Sequence, residues 1–245
     1  MRDSLDAFEQ VFDHGGVSAR PSVTALDPAR SVVEQLRERV AAMERRPAGQ
    51  PVPTLAGIAD LVSLRAGASY SADSASLALA LAAGASRAGE WVGFVGWRDF
   101  GAEAATEIGI ELSRTVLVPD AGDHWLEVTA ALVDVLRVVV LRPPASVDQR
   151  SAGVLDSRLR TRSALLVVHG RWPGVEARFS EEESTWSGPA TGEGSLRERR
   201  ARVALHRGAR PPRHVDLIWN LDSPGAVRVR GADEQVVRGI RRVSG

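Results

Sequence analysis

The alternation of short apolar runs with helical segments between residues 61 and 170 is the feature that most constrains the fold of this chain. Continuous apolar runs are typical of buried strands, and the segments between them carry apolar residues at helical spacing. A strand, a helix and a further strand form a right-handed crossover, so the strands are parallel and buried on both faces. We predict strands at 61–66, 91–97, 114–119, 138–144 and 163–170, and helices at 74–87, 102–108, 123–134 and 147–160.

The pattern changes after Pro173 and Gly174, where strand-like runs follow one another without helices. These runs, at 175–180, 200–207 and 213–221, are expected to extend the sheet in antiparallel fashion, with a mobile loop at 181–195. We therefore predict an α/β fold, in which a mostly parallel sheet is flanked by helices and ends in antiparallel C-terminal strands. The predicted organisation is an N-terminal leader with a helix (31–45) and linker at 1–53, a core at 54–225 and a basic tail, able to form a short helix, at 226–245.

The composition excludes several kinds of chemistry. All 31 basic residues are arginine, so no lysine can serve as a Schiff base or bind a phosphate, and the absence of cysteine excludes disulfides and thiolate metal sites. The five histidines have no ligand-like spacing and no serine lies in G-x-S-x-G, so we expect neither a metal site nor a serine hydrolase. The 31 acidic residues balance the charge, and there is no long apolar run or signal peptide, so we expect a cytoplasmic protein.

Residues 67–74 have the outline of a phosphate-binding loop before a helix. Such a loop needs G-x-x-x-x-G-K-[ST], because its backbone N–H groups surround the phosphates while the lysine reaches them. Here Gly67 opens the frame, Ala72 takes the second glycine position and Asp73 takes the lysine position, while Ser74 keeps the hydroxyl. A carboxylate in the lysine position would repel a nucleotide.

The order of the predicted elements resembles the core of the RecA recombinase family. Residues 104–141 resemble the RecA segment that runs from the helix after the second strand to the Walker B strand. Four phrases are closer to a degenerate RecA subfamily, the ImuA-type proteins of bacterial mutagenesis cassettes in their actinobacterial ImuA′ form. They are GRWPG (170–174), STWSG (184–188), GSLRERRARVAL (194–205) and LIW (217–219), and the resemblance covers roughly 27–225.

The resemblance implies a RecA-like core that lacks ATPase chemistry. A RecA-type ATPase also needs a Walker B carboxylate and a glutamate that activates water. The Walker B position here is Arg142, and the glutamate position gives way to Trp97 and Arg98. We therefore expect a pseudo-ATPase with no cofactor and no catalytic residue. The alternative that this reasoning leaves open is an unorthodox ATPase in which Arg98 or Arg142 replaces the lysine.

The function that the resemblance implies is that of a non-catalytic adaptor in SOS-induced, error-prone translesion DNA synthesis. Its expected partners are an ImuB-like Y-family polymerase homologue, RecA and, indirectly, an error-prone replicative-type polymerase, at the nucleoid after DNA damage. The alternative from another class is a SulA-like inhibitor of cell division that binds FtsZ.

Candidate contact residues are concentrated in the C-terminal part of the chain. From Leu196 onward there are 12 arginines and five acidic residues, and such a surface could follow a DNA backbone, dock an acidic partner or simply face solvent. Trp186 lies in a polar segment and is a candidate anchor for a partner. The candidate arginines, for a partner or weakly bound single-stranded DNA, are Arg207, Arg210, Arg213, Arg238, Arg241 and Arg242.

Overall fold

Nine strands and five α-helices make up the part of the protein that its structure, a computed structural model, describes, which is residues 49–188 and 196–229. All of these residues lie in one compact unit. Short 3-10 helices lie at Leu112–Arg114 and Gly122–His124. The helices are α1 (Ala56–Ala59), α2 (Ala75–Arg87), α3 (Ala102–Ile108), α4 (Trp125–Val135) and α5 (Gln149–Arg162). The strands are β1 (Ser69–Ala72), β2 (Val92–Val95), β3 (Thr115–Val118), β4 (Val138–Leu141), β5 (Leu165–His169), β6 (Ala177–Ser187), β7 (Glu198–His206), β8 (Arg213–Asn220) and β9 (Ala226–Val229).

The strands form one mixed sheet in the order β3-β2-β4-β5-β1-β6-β7-β8-β9. The neighbours from β3 to β6 pair in parallel, and β6 to β9 pair in antiparallel fashion. The predicted α/β class, with a mostly parallel sheet and antiparallel C-terminal strands, is confirmed.

Helices cover both faces of the parallel half of the sheet. Successive side chains of a strand point to opposite faces, so Val138 and Val140 of β4 pack in the core with α2 and α3, while Val139 and Leu141 pack with α4 and α5. These two apolar layers explain why the parallel strands read as continuous apolar runs in the sequence.

Helix α2 is the central helix of the fold. The side chain of Ser74 caps its N-terminus by accepting a hydrogen bond from the Leu77 backbone N–H, and ten of its 13 residues are buried. It is buried on most sides because it packs against the sheet and also against the segment 52–64. At the crossing a Cβ on Gly84 would lie 2.3 Å from Thr54 Cα, so only glycine fits there.

Within ranges 49–188 and 196–229, the core covers one face of the antiparallel half of the sheet. On β7, Ala201, Val203 and Leu205 are buried in the core, and the alternate residues Arg200 and Arg202 are exposed. The exposed face carries ion pairs such as Arg202–Glu182, with 3.6 Å between nitrogen and oxygen. This one-sided burial is usual for antiparallel strands.

Three sequence predictions were wrong. Residues 61–66 are apolar because they pack on the core, but they form only an isolated bridge between Pro51 and Arg65, and the first strand is Ser69–Ala72. Residues 181–187 are strand rather than mobile loop; they read as polar because most of their side chains are exposed although the backbone pairs with β7. Residues 226–229, assigned to the tail, form β9 of the core sheet.

The other predicted strands and helices are found within a few residues of their predicted bounds. Helix α1 was not predicted, because four residues carry too little periodicity. The predicted N-terminal helix at 31–45, the tail helix and residues 189–195 of the predicted loop lie outside the described residues.

Candidate functional site at the carboxyl edge of the sheet

The carboxyl ends of the central parallel strands meet at one edge of the sheet. Asp73 follows β1, Gly96 follows β2, Arg142 follows β4 and Gly170 follows β5. Ligands of open α/β sheets bind outside this edge, where neighbouring strands send their connections to opposite faces. The candidate site is therefore sought among these residues and the helix N-termini beside them.

The connection from β1 to α2 consists of two residues, Asp73 and Ser74. The structure therefore has no loop at the predicted phosphate-binding position 67–74. Gly67 lies before β1, with a φ of +83°, and Ala72 is the buried last residue of the strand. The error arose because the first strand was predicted at 61–66. The loop was therefore expected to begin at Gly67, whereas the first strand ends at Ala72. Two residues cannot present the several converging backbone N–H groups that hold a phosphate.

The polar groups of this short connection bind other parts of the protein. The Asp73 carboxylate accepts a hydrogen bond from the Glu181 backbone N–H at 2.9 Å, and the Asp73 backbone N–H donates to the Phe179 carbonyl at 3.2 Å. The Ser74 hydroxyl is 2.8 Å from the Ser76 hydroxyl. Asp73 thus ties the end of β1 to β6, which is a structural role.

Arg199 of β7 lies at the N-terminus of α2 in a nearly buried position. Its guanidinium donates to the Ser76 hydroxyl and forms an ion pair with Glu181 at 2.5 Å. The rings of Trp186 and Trp219 lie 5.1 Å and 5.2 Å from the guanidinium carbon. The arginine and the two tryptophans are direct cross-strand partners on β6, β7 and β8, so their side chains point to the same face.

A second pair of arginines follows β2 and β4. Arg98 forms an ion pair with Asp120 at 2.6 Å, and Arg142 forms one with Asp99 at 2.5 Å. Together they line a cleft of about 480 Å³ at the ends of β3, β2 and β4. Both cations therefore have an internal carboxylate partner. The hydrogen bond from Arg98 also holds the pKa of Asp120 below its usual value.

The Trp97 ring lies among charged and aromatic side chains. The guanidinium carbon of Arg142 is 5.9 Å from its centroid, and the His169 ring lies 5.4 Å from it. Burial, and next the charge of Arg142, lower the pKa of His169. His169 therefore favours the neutral form, which suits a packing role at the end of β5.

An apolar groove of about 470 Å³ opens beside Arg199, between α2, α3 and the antiparallel strands. We call it the aromatic groove, because three tryptophans and a phenylalanine line it. Trp186, with 52% of its surface exposed, is the most accessible of the tryptophans, whereas Trp97 and Trp219 are buried. The lining residues are Ala75, Ser76, Leu79, Trp97, Asp99, Phe100, Gly101, Ala104, Glu107, Ile108, Arg142, Trp186, Arg199, Trp219 and Leu221.

Two ring nitrogens of the groove lining, and one oxygen of the carboxylate that pairs with Arg199, are buried without a hydrogen-bond partner within the described ranges 49–188 and 196–229. They are Nε1 of Trp97, Nε1 of Trp219 and Oε2 of Glu181. Buried polar side-chain atoms are usually paired, because an unpaired one costs about 1–3 kcal/mol.

The predicted contact residues are not brought together. Arg207 and Arg210 lie in the connection between β7 and β8, and Arg213 begins β8. Trp186 lies beside Arg199 at the other end of β7, eight residues from Arg207, which is roughly 25 Å along a strand. Arg238, Arg241 and Arg242 lie outside the described residues. The turn that carries Arg207, Arg210 and Arg213, which we call the arginine turn, and Trp186 therefore belong to separate surfaces.

Sequence reasoning missed Arg199 and Glu181 as a central pair. A usable signal was present: Arg199, Ala201, Val203 and Leu205 alternate with other residues, so Arg199 falls on the buried face of its strand. A charged residue on a buried face requires a partner.

Two further searches cover only the chain described by the structure. Within those two ranges, no three His, Asp or Glu side chains are placed to hold a metal ion. No helix there has the length and apolar character to cross a membrane.

The fold and the groove define an α/β protein whose mixed nine-stranded sheet carries an aromatic site at its carboxyl edge. Residues 58–174, which hold β1 to β5, match the family model for the MT3502 N-terminal domain. A protein of Mycobacterium tuberculosis with the name Uncharacterized protein Rv3395c is 33% identical over 164 residues, which cover 63% of this chain and 78% of the mycobacterial protein. The chain belongs to the same family as Rv3395c.

Proposed function

We propose that this protein is a non-catalytic, RecA-like adaptor in SOS-induced, error-prone translesion DNA synthesis. The order of its elements supports the RecA-like assignment: a central strand leads into a buried helix, further strands and helices follow, and antiparallel strands finish the sheet. The described residues of the phrases that resemble the ImuA′ form lie in the β5–β6 connection and in β6, β7 and β8.

The observation that carries the non-catalytic part of the proposal is the occupied N-terminus of α2. In an ATPase of the RecA type a lysine-bearing loop would hold the phosphates there. Here the connection is two residues long, Asp73 binds the backbone of β6, and Arg199 fills the space against Ser76 while paired with Glu181. An anion would have to break this internal ion pair to enter.

The ends of β2 and β4 support the same proposal. A RecA-type ATPase places carboxylates there to hold Mg²⁺ and activate water, whereas this chain places Arg98 and Arg142. Their ion pairs with Asp120 and Asp99 also count against either arginine serving in place of the missing lysine.

The adaptor part of the proposal names an ImuB-like polymerase homologue and RecA as direct partners and an error-prone replicative-type polymerase as an indirect one. The protein would act in the cytoplasm, at the nucleoid after DNA damage. The arginine turn of Arg207, Arg210 and Arg213 supplies a second surface, because no described carboxylate forms an ion pair with these three side chains. That surface suits an acidic partner or weak contact with single-stranded DNA.

Two experiments test the proposal. Calorimetric titration of the full chain with Mg-ATP should give no binding heat, and saturable heat would refute the non-catalytic assignment. Tagged protein recovered from DNA-damaged cells of its own host should bring down the polymerase homologue or RecA, identified by mass spectrometry. Recovery of FtsZ without either would instead favour the cell-division inhibitor.

A further inference from the structure

We propose that the aromatic groove binds a peptide segment of a protein partner, and that this segment carries a large apolar side chain flanked by arginine or lysine. This inference deepens the proposed adaptor role and rests on it, because it names the surface and the chemistry of the contact.

The shape and lining of the groove fit an inserted side chain. Leu79, Ala104 and Ile108 give the lining an aliphatic part on α2 and α3, and the tryptophan rings give it an aromatic part, which we call the aromatic wall. Trp186 is a large aromatic residue left half exposed at the rim. Exposed tryptophans beside well-packed concave surfaces are the residues that dominate binding energy at protein interfaces.

The aromatic wall is held in place before any partner arrives. Arg199 lies between Trp186 and Trp219, and the ion pair with Glu181 and the bond to Ser76 fix its guanidinium. A wall of this kind loses little conformational freedom on binding, which favours affinity.

The charges around the groove select a basic partner. Both arginines of the lining are already paired, Arg199 with Glu181 and Arg142 with Asp99, and Arg199 exposes only 11% of its side chain. Asp99 exposes 70% of its side chain against 39% for Arg142. Glu107, also exposed, forms no ion pair with a described residue. The accessible charge is therefore acidic.

The same charges argue against nucleic acid as the occupant. Aromatic side chains do stack on the bases of single strands, but such sites combine them with a positively charged groove that follows the backbone. Here the accessible Asp99 and Glu107 would repel phosphates, and no arginine of the groove is free to replace counterions.

Site-specific crosslinking tests the inference in the full chain. Ala104 lines the groove and is exposed, whereas Ala102 is exposed on the same helix outside the lining. Ala104→p-benzoylphenylalanine, expressed in DNA-damaged host cells, should crosslink to a peptide with a large apolar residue next to arginine or lysine, mapped by mass spectrometry. Ala102→p-benzoylphenylalanine should not give this crosslink. A crosslink to nucleic acid, to an acidic peptide or to nothing would overturn the inference.

The mapped peptide then allows a quantitative test with a matched control. A synthetic, fluorescein-labelled copy should bind the wild-type chain, and its affinity should fall at least about tenfold in Ala104→Arg, which fills and recharges the groove. Ala102→Arg adds the same charge outside the lining and should leave the affinity within about twofold. Equal affinity in all three proteins, or displacement of the peptide by oligothymidine, would overturn the inference.

The crosslinking result also separates this inference from the adaptor proposal. If the polymerase homologue or RecA co-purifies with the chain but Ala104 gives no crosslink, the adaptor role stands and the groove is not the contact. If Ala104 crosslinks to a basic, apolar peptide of an unrelated protein, the groove inference stands and the translesion role fails.

Discussion

Removing the charge of Arg199 should destabilise the protein by about 3 kcal/mol. Arg199→Met keeps the bulk of the side chain but leaves Glu181 charged, nearly buried and without its cation. Losing one partner of a buried ion pair costs about 3–5 kcal/mol, and two cation–π contacts, with Trp186 and Trp219, are lost as well. We choose the lower end because Glu181 retains 14% exposure of its side chain.

Urea unfolding followed by circular dichroism gives the free energy of unfolding, and a double variant supplies the control. Arg199→Met combined with Glu181→Leu removes both charges, so no buried carboxylate is left alone and the loss should shrink to about 1 kcal/mol. Glu181→Leu alone completes the cycle, and the coupling energy, which is the sum of the two single losses minus the loss in the double variant, measures the pair itself. A loss below about 1 kcal/mol in Arg199→Met, or strictly additive effects, would show that the pair behaves as a surface pair and does not fix the aromatic wall.

Three further predictions concern the connection after β1, the end of β5 and the C-terminus. Asp73→Lys should release no phosphate from ATP in a malachite-green assay and should lower stability by about 1 kcal/mol, because the bond to the Glu181 backbone is lost; measurable turnover would contradict the assignment. The lowered pKa of His169 means that the folded state binds its proton less readily than the unfolded state, so its contribution to stability should be lost as the pH falls below about 6.5. Urea titrations at acidic and neutral pH should show this loss and a smaller one in His169→Gln, and equal losses would refute it. Deleting residues 230–245 should weaken recovery of the partner without changing the melting temperature. Deleting 226–245 also removes β9 and should lower the melting temperature by about 5 °C or more. Equal melting curves for the two truncations would argue against β9 as part of the core.

The parallel half of the fold was predictable because each helix and most strands show a hydrophobic pattern within their own sequence. Helix α3 was predicted at its observed bounds, Ala102–Ile108, and strand β4 reads as an unbroken apolar run because both of its faces are buried. Strand β1 was missed because its sequence, SYSA, alternates serine with Tyr70 and Ala72 and has no apolar run. The serines Ser69 and Ser71 are buried, which no local pattern reveals.

The candidate site was predicted only in part, because it depends on pairing across the sheet. Trp186 was predicted as a candidate anchor for a partner, and the structure shows its side chain half exposed. Its neighbours Arg199 and Trp219 come from strands that follow later in the chain, and only the register of β6 with β7 and of β7 with β8 places the three side chains together. Because β1 was misplaced, the sequence analysis also missed that only two residues, Asp73 and Ser74, connect β1 to α2 and could surround a phosphate.

The two outermost strands of the described sheet, β3 and β9, are each four residues long. An edge strand offers unpaired backbone groups to any other extended chain, and a short edge limits the ladder that can form on it. Joining two copies edge to edge would therefore gain few hydrogen bonds. Contacts that the described sheet makes with another copy or with a protein partner are instead expected to use side-chain surfaces, and point substitutions on those surfaces should weaken them.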